Sequence, residues 1–354
     1  MRSALVIGLA ALGCAFLQFE QVGAATITAT TTSRADINAA VAAAQVGDTV
    51  LIPAGTVPSG TAINLTKGIS IRGAGVGQTT INGAAFTINL AADNRLEISD
   101  MTLAGSGGSN TGIQCNISAV HPDQIRFHNL AISNYEFGIH VEGCHGVVHN
   151  TTFTNNDHDF RNVGYTSADL AKHSVAPPWL YDSLHQFVVE DSTFNWTGTS
   201  SIRADTEYPA TFVIRYSTFN ITNDDFPQPV DMHGSAGTHN NQQGVRMYNN
   251  MFNLNTDGRC ADLRGGMNHL FYNNTLTGPG DCAVAFSANP GGSQVAVNNF
   301  VWNNSPANRW TVEREDGATS SAAPPSNFTE LPYPHPMRQG SGGVPRSPLN
   351  LVVH

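Results

Sequence analysis

The sequence predicts an all-β chain wound into repeated coils, and composition, spacing and local alternation each point that way. Of 354 residues only 12% are charged and 8% aromatic, while Gly alone counts 34. Asn, Thr, Gly and β-branched residues outnumber the good helix formers, and Lys67 and Lys172 are the only lysines, which disfavours a helical bundle. The chain is too apolar and too poor in charge for general disorder. Its net charge of -10 disfavours nucleic-acid binding through phosphate neutralisation.

The spacing signal is a short phrase in which Asn or Asp is followed three residues later by an apolar residue. It recurs at Asp100-Leu103, Asn129-Ile132, Asn150-Phe153, Asp191-Phe194, Asn249-Phe252, Asn273-Leu276 and Asn298-Val301, with Tyr216-Phe219 as a variant. The apolar anchors lie 29, 21, 41, 25, 33, 24 and 25 residues apart, so a unit of roughly 21–25 residues repeats with three insertions. Strand-like stretches such as Phe187-Val188-Val189-Glu190 and Phe212-Val213-Ile214-Arg215 sit inside each unit. Each unit is thus one turn of a coil. Propeller blades need a longer period, and the leucine spacing of leucine-rich repeats is missing.

In chain order, residues 1–24 read as a signal peptide: Arg2 precedes an apolar run from Ala4 to Phe19, and Val22-Gly23-Ala24 supplies small residues for cleavage. This predicts a secreted or periplasmic protein. Lipoprotein anchoring at Cys14 is the weaker reading, because Ala11 stands where such a signal carries Leu. No later run approaches the ~20 apolar residues of a membrane span. Four cysteines remain, Cys115, Cys144, Cys260 and Cys282, which allow three pairings into two disulfides.

Arg34 to Gln45 reads as a short amphipathic helix, followed by Gly47-Asp48-Thr49-Val50-Leu51-Ile52-Pro53-Ala54-Gly55 and then Ile69-Ser70-Ile71-Arg72-Gly73. Residues 34–83 resemble the entry to a right-handed parallel β-helix of the pectate-lyase-like superfamily. The resemblance implies a single-stranded right-handed parallel β-helix over residues 25–305, closed at its N-terminal end by the helix. Val, Ile, Leu and Phe would then stack inside, coil upon coil, about 4.8 Å apart, and Asn ladders would bind the bends. Cys115 follows Leu103 by 12 residues and Cys144 follows Ile132 by 12, so these two are expected to pair on neighbouring coils, leaving Cys260 with Cys282. Residues 306–354 turn Pro-, Gly- and Ser-rich, a tail expected to pack back, to cap the coil or to extend from it.

Such a scaffold hosts lyases, hydrolases, esterases, epimerases, tailspikes and adhesins, so function has to be read from a site. Alternation places five polar pairs in one outward column: His140 and Glu142, Asp159 and Arg161, Arg203 and Asp205, Asp231 and His233, Asp262 and Arg264. The expected reaction is β-elimination on an acidic polysaccharide. Arg203 and Arg264 would neutralise the sugar carboxylate, and His233 would serve as base with Asp231 or Asp262 orienting it. Lys172, His173, Trp179, Tyr181 and His239, on two inserted loops, join Arg161 as expected substrate contacts. No cofactor is required by the sequence, and Asp205, Glu207, Asp224 and Asp225 are candidate calcium donors. A glycoside hydrolase using Asp231 and Asp262 and a non-catalytic carbohydrate-binding or surface-structural protein are the alternatives. The bland reading of the column is an ion-pair ladder that keeps like charges from stacking.

Overall fold

A computed structural model of the chain describes residues 23–90, 95–116, 125–163, 187–197, 202–207, 212–222, 228–233, 244–266, 268–288, 295–326 and 328–338, with only the backbone described for Glu207 and His233. All but the end of the expected signal segment, and the last part of the tail, lie outside these residues.

The first regular element is the helix Arg34–Ala43. The Ser33 hydroxyl starts it by accepting the Asp36 N–H at 3.1 Å, satisfying a donor that the first turn leaves without an intrahelical partner. Ile37, Ala40 and Val41 form its buried stripe, packed on the opening strands Thr26–Thr28 and Ile63–Leu65. Arg34 donates to the carbonyls of Pro58, Thr61, Asn82 and Ala84, while Lys67 Nζ donates to Ala42 and Ala44 at the helix C-terminus. One end of the coil is closed in this way.

Beyond the helix, the strands named in register all run parallel, in one sheet of eighteen strands and one of ten. A representative coil consists of Phe187–Glu190, Thr193–Trp196 and Ala204–Glu207. The next coil repeats it as Phe212–Arg215, Thr218–Ile221 and Val230–His233, pairing Phe187 with Phe212, Thr193 with Thr218 and Ala204 with Val230. The first two strands of each coil belong to the larger sheet and the third to the smaller. This is a parallel β-helix.

The repeated phrase marks the bend between the first two strands. Asp100, Asn129, Asn150, Asp191, Tyr216, Asn249 and Asn273 have φ between 49° and 58° there, the left-handed region that Asn and Asp tolerate better than other side chains. Asn298, at 55°, lies instead before the first strand of its coil, since Val301 pairs with Phe271 and Asn303 is the counterpart of Asn273. Ladder bonds add to this: Asn129 donates to Asp100 at 2.9 Å and Asn303 to Asn273 at 2.6 Å. The residue after the bend turns inward and builds a second, buried polar column. There Ser192 Oγ accepts from Thr151 N–H, Ser217 Oγ from Ser192 N–H, and Asn250 Oδ1 from Ser217 N–H, at 3.0–3.3 Å. Inside, the anchors Phe153, Phe194, Phe219 and Phe252 stack with ring centroids 4.5–5.1 Å apart and planes within 7° of parallel.

Both expected disulfides form, Cys115–Cys144 and Cys260–Cys282, with Cα atoms 6.5 and 5.6 Å apart. Equal spacing from the anchors is not what aligns them. Cys115 stands opposite Val141, three residues before Cys144, because the bend before Thr111–Asn116 is longer than the one before Phe137–Glu142. Cys260 is the extra residue of a bulge, Gly258 being the partner of Cys282.

The boundary drawn at residue 305 from composition falls inside the coil. Trp310–Arg314 is the last strand of the smaller sheet, and Ser320–Ser321 pairs with Asn299–Phe300. Residues 328–338 then run back over the outer face of the larger sheet. Phe328 meets Tyr272 and Trp302 edge-on, Leu331 and Pro332 accept from Arg215, His335 N–H donates to Glu190, and Arg126 donates to Met337 and Arg338 carbonyls. Under this strap Val147, Val188, Val213, Tyr248, Leu270 and Tyr272 form a second apolar cluster.

Candidate functional site

The outward face of the ten-stranded sheet carries many ionisable residues in two registered columns. One runs His140, Arg161, Asp205, Asp231, Asp262, Ala285, Glu313; the other runs Glu142, Val163, Glu207, His233, Arg264, Ser287. Three aspartates on consecutive coils therefore stand about 4.8 Å apart at the backbone. Unscreened, such a stack would be strongly unfavourable, and arginines flank it. Arg264 reaches back one coil to hold Asp231 with two contacts, Nη2–Oδ2 at 2.5 Å and Nε–Oδ1 at 3.2 Å. Its Nε lies 4.0 Å from Asp262. Arg161 Nε is 3.5 Å from Asp205 Oδ2, and His158 Nε2 is 3.9 Å from the same oxygen.

Two of the five predicted pairs are corrected. Asp159 and Arg203 do not point outward: each is fully buried, and they face one another at 3.3 Å. The third strand of these coils turns a corner near its start. Its burial pattern, shared by Thr111–Asn116, Phe137–Glu142 and His158–Val163, places two consecutive residues inward before alternation resumes. Asp159 is the first of those two. Arg203 precedes its strand, donates to the Asn156 and Asp157 carbonyls, and lies 4.0 Å from the Trp196 ring centroid. Its cation ties the coil corner and is not presented to a substrate carboxylate.

Asp262 is a perturbed carboxylate within the column. Burial foremost, and then the charge of Asp231, push its pKa above the usual range against the pull of Arg264 and Arg259. Its Oδ2 accepts from Gln228 at 3.3 Å, while its Oδ1 is enclosed without a hydrogen bond. Farther along, Arg259 contacts Asp262 at 3.5 Å, Glu313 at 3.0 Å and Glu315 at 2.7 Å. It borders a pocket of about 240 Å³ that Asp257, Asp281, Thr311 and Glu313 also line. At the opposite end, burial first and the Arg161 charge second hold His140 down to about 4, and burial lowers His158 as well. Both imidazoles are neutral at pH 7.

Sequence reasoning missed His158, Phe137, Arg259 and Glu313. The repeat contained the signal for His158, which aligns with Phe137 in the same register that aligns Arg161 with His140. Lys172, His173, Trp179, Tyr181, His239, Asp224 and Asp225 lie outside the described residues. The backbone of His233 stands between those of Glu207 and Arg264.

Of the proposed calcium donors only Asp205 has a described side chain, and it faces a guanidinium and an imidazole. Among the described residues no group of three or more His, Cys, Asp or Glu is arranged to hold a metal. Among these residues, no helix is long and apolar enough to cross a membrane.

No family profile and no curated protein matches the sequence. Among solved structures, the chain is similar to the A-module of the mannuronan C-5 epimerase AlgE4 from Azotobacter vinelandii, at 14% identity and a TM-score of 0.43 over 84% of this chain and 95% of that one. It is also similar to an alginate lyase from Paenibacillus sp. str. FPU-7, at 13% identity and a TM-score of 0.39 over 83% and 99%. A PL6 alginate lyase in complex with trisaccharide gives 13% identity and a TM-score of 0.42 over 79% of this chain and 60% of that one. The parallel ladder itself establishes the fold, and these distant likenesses add nothing to the site.

Proposed function

We propose that the chain is a secreted polysaccharide lyase that cleaves an acidic polysaccharide by β-elimination on the outward face of the ten-stranded sheet. The observation that carries this reading is the Arg264–Asp231 pair, which bridges two registered columns of ionisable residues on consecutive coils. A column along the axis suits a ligand that repeats along its own length. Arg264 neutralises the sugar carboxylate, which acidifies the neighbouring C–H, and Asp231 holds the guanidinium fork in place. His233, beside Arg264 in the second column, is the base. The two disulfides fit an oxidising compartment.

The upward shift of Asp262 beside Asp231 favours a second reading as a glycoside hydrolase, because a carboxyl that holds its proton more tightly is suited to the acid role in glycosidic cleavage. A screen of acidic polysaccharides separates the two. Unsaturated product absorbance, lost at least 100-fold in Arg264→Ala and in His233→Ala, supports the lyase. Undiminished activity in both variants rejects the site, and reducing ends without unsaturation select the hydrolase. Binding with no turnover assigns the face to a carbohydrate-binding protein.

A further inference from the structure

We propose that Arg259 is a positioning residue that draws the Asp262 carboxylate away from Arg264, leaving the Arg264 guanidinium open to an acidic sugar. The inference rests on the lyase reading above and adds what keeps its cation available. Asp262 lies between the two arginines of its own strand, Gly258–Arg264. Its Oδ2 is 3.5 Å from Arg259 Nη1 and 4.0 Å from Arg264 Nε. Arg264 already holds Asp231 through two contacts. A second protein carboxylate drawn onto the same fork would occupy the donors that a sugar carboxylate needs.

A bulge makes this arrangement possible. In a regular strand, residues three apart point to opposite faces. Here Cys260 is the extra residue, with Arg259 opposite Ala283 and Ala261 opposite Val284. Cys260 and Ala261 are both buried in the core, so Arg259 and Asp262 share the outer face. Bulges beside functional sites re-aim side chains in this manner, and the Cys260–Cys282 disulfide ties the extra residue to the next coil. That coil sets only Ala283 and Ala285 against Arg259 and Asp262. Over these small side chains Arg259 reaches the last coil, meeting Glu313 at 3.0 Å and Glu315 at 2.7 Å.

The charges around Asp262 come from three coils. Asp231 stands on the coil before it, Arg259 and Arg264 on its own strand, and Glu313 and Glu315 on the last coil, while Gln228 donates at 3.3 Å. Glu313 and Glu315 anchor Arg259 from the far side, so its guanidinium is held in place beside Asp262. Without Arg259, Arg264 is the cation left to face Asp262 among the described residues, and its fork is divided between two carboxylates of the protein. Both guanidiniums are partly exposed, so solvent and ligand reach them.

The test is steady-state kinetics on an oligouronide at about pH 8, well above the carboxylate range. Wild type is compared with Arg259→Gln, Arg259→Lys and the double variant Arg259→Gln/Asp262→Asn, each checked for folding by its thermal melt. Arg259→Gln is expected to raise KM about tenfold with kcat within about threefold, the signature of lost uniform binding. Arg259→Lys keeps the cation and recovers most of the loss. Asp262→Asn in the Arg259→Gln background also recovers it, by removing the competing charge, whereas a mere clamp on the last coil would not respond to that change. An unchanged KM in Arg259→Gln, or a raised KM that Asp262→Asn does not relieve, overturns the proposal. Should Arg259→Gln not fold, Glu313→Gln/Glu315→Gln takes its place. With Arg259 left to Asp262, the Asp262 carboxyl is expected to titrate at lower pH by carbon-13 NMR, and an unshifted titration overturns the proposal. If wild type releases no unsaturated product from any acidic polymer, the lyase reading fails. Calorimetric titration of an oligouronide into the same variants then decides the positioning role by the same pattern of loss and rescue.

Discussion

His269 shows how one fully buried side chain couples the fold to pH. Its Nδ1 accepts the Val245 N–H at 3.1 Å, and its Nε2 faces the Gly265 carbonyl at 3.0 Å, so the fold selects the tautomer protonated at Nε2. A second proton would have to sit on Nδ1, against a donor. Burial holds the pKa at about 4 in place of 6.5. Between those two values the unfolded chain binds the proton and the folded chain does not. This residue's stability contribution is therefore intact above pH 6.5 and declines by about 1.4 kcal/mol per pH unit as pH falls towards 4. Chemical denaturation of His269→Gln across that range is expected to show a shallower slope than wild type, and parallel slopes would reject the assignment. Tyr216 makes the complementary point about legibility. It was included in the repeat only by analogy with the Asn and Asp of other coils, yet it adopts the same left-handed φ of 51°, with its ring 3.8 Å from that of Tyr333. The local pattern identified the bend, but the partner from the strap was invisible because it lies more than a hundred residues away.

Strands in this fold approach each other's backbones closely enough to dictate residue size. A Cβ on Gly146 would sit 2.0 Å from the carbonyl oxygen of Ile125, its partner in the parallel ladder. Backbone on both sides cannot yield without breaking register, so Gly146→Ala is expected to destabilise the protein by about 1–3 kcal/mol, measured as a fall in the denaturation midpoint at unchanged m-value. Wild-type stability would show that the two strands can part locally. Alternation, the rule used to read these elements, succeeded where strands are straight and failed where they turn. It placed Asp231, Asp262 and Arg264 in their true columns, and it misplaced Asp159 and Arg203 because the corner of the coil inserts two inward residues in succession. The disulfide pairs were legible for a different reason. A covalent link tolerates the three-residue offset that the longer bend introduces.

At the scale of the whole molecule, the coil has contacts mainly between neighbours, the arrangement in which stability is a sum of local terms and ends fray independently. The strap of residues 328–338 is the exception. It touches Tyr272 and Trp302 near one end and Arg126 several coils away, and it supplies Arg338 to the buried Glu190 and Arg215 pair. Ending the chain at residue 327 is expected to broaden thermal unfolding and to raise binding of a hydrophobic dye to the uncovered Val188, Val213 and Tyr248 face. Equal sharpness in the truncated and full chains would show that neighbouring contacts suffice.

A segment of fixed length laid across a stack also measures it. Each coil adds one step under the strap, and the contacts at its two ends fit only one number of steps between Trp302 and Arg126. Gaining or losing a coil within that stretch would leave Arg338 opposite the wrong rung, away from Glu190. Coils outside the stretch, towards the helix Arg34–Ala43, meet no such gauge. The protein's length is therefore free to vary at one end and held by a ruler at the other.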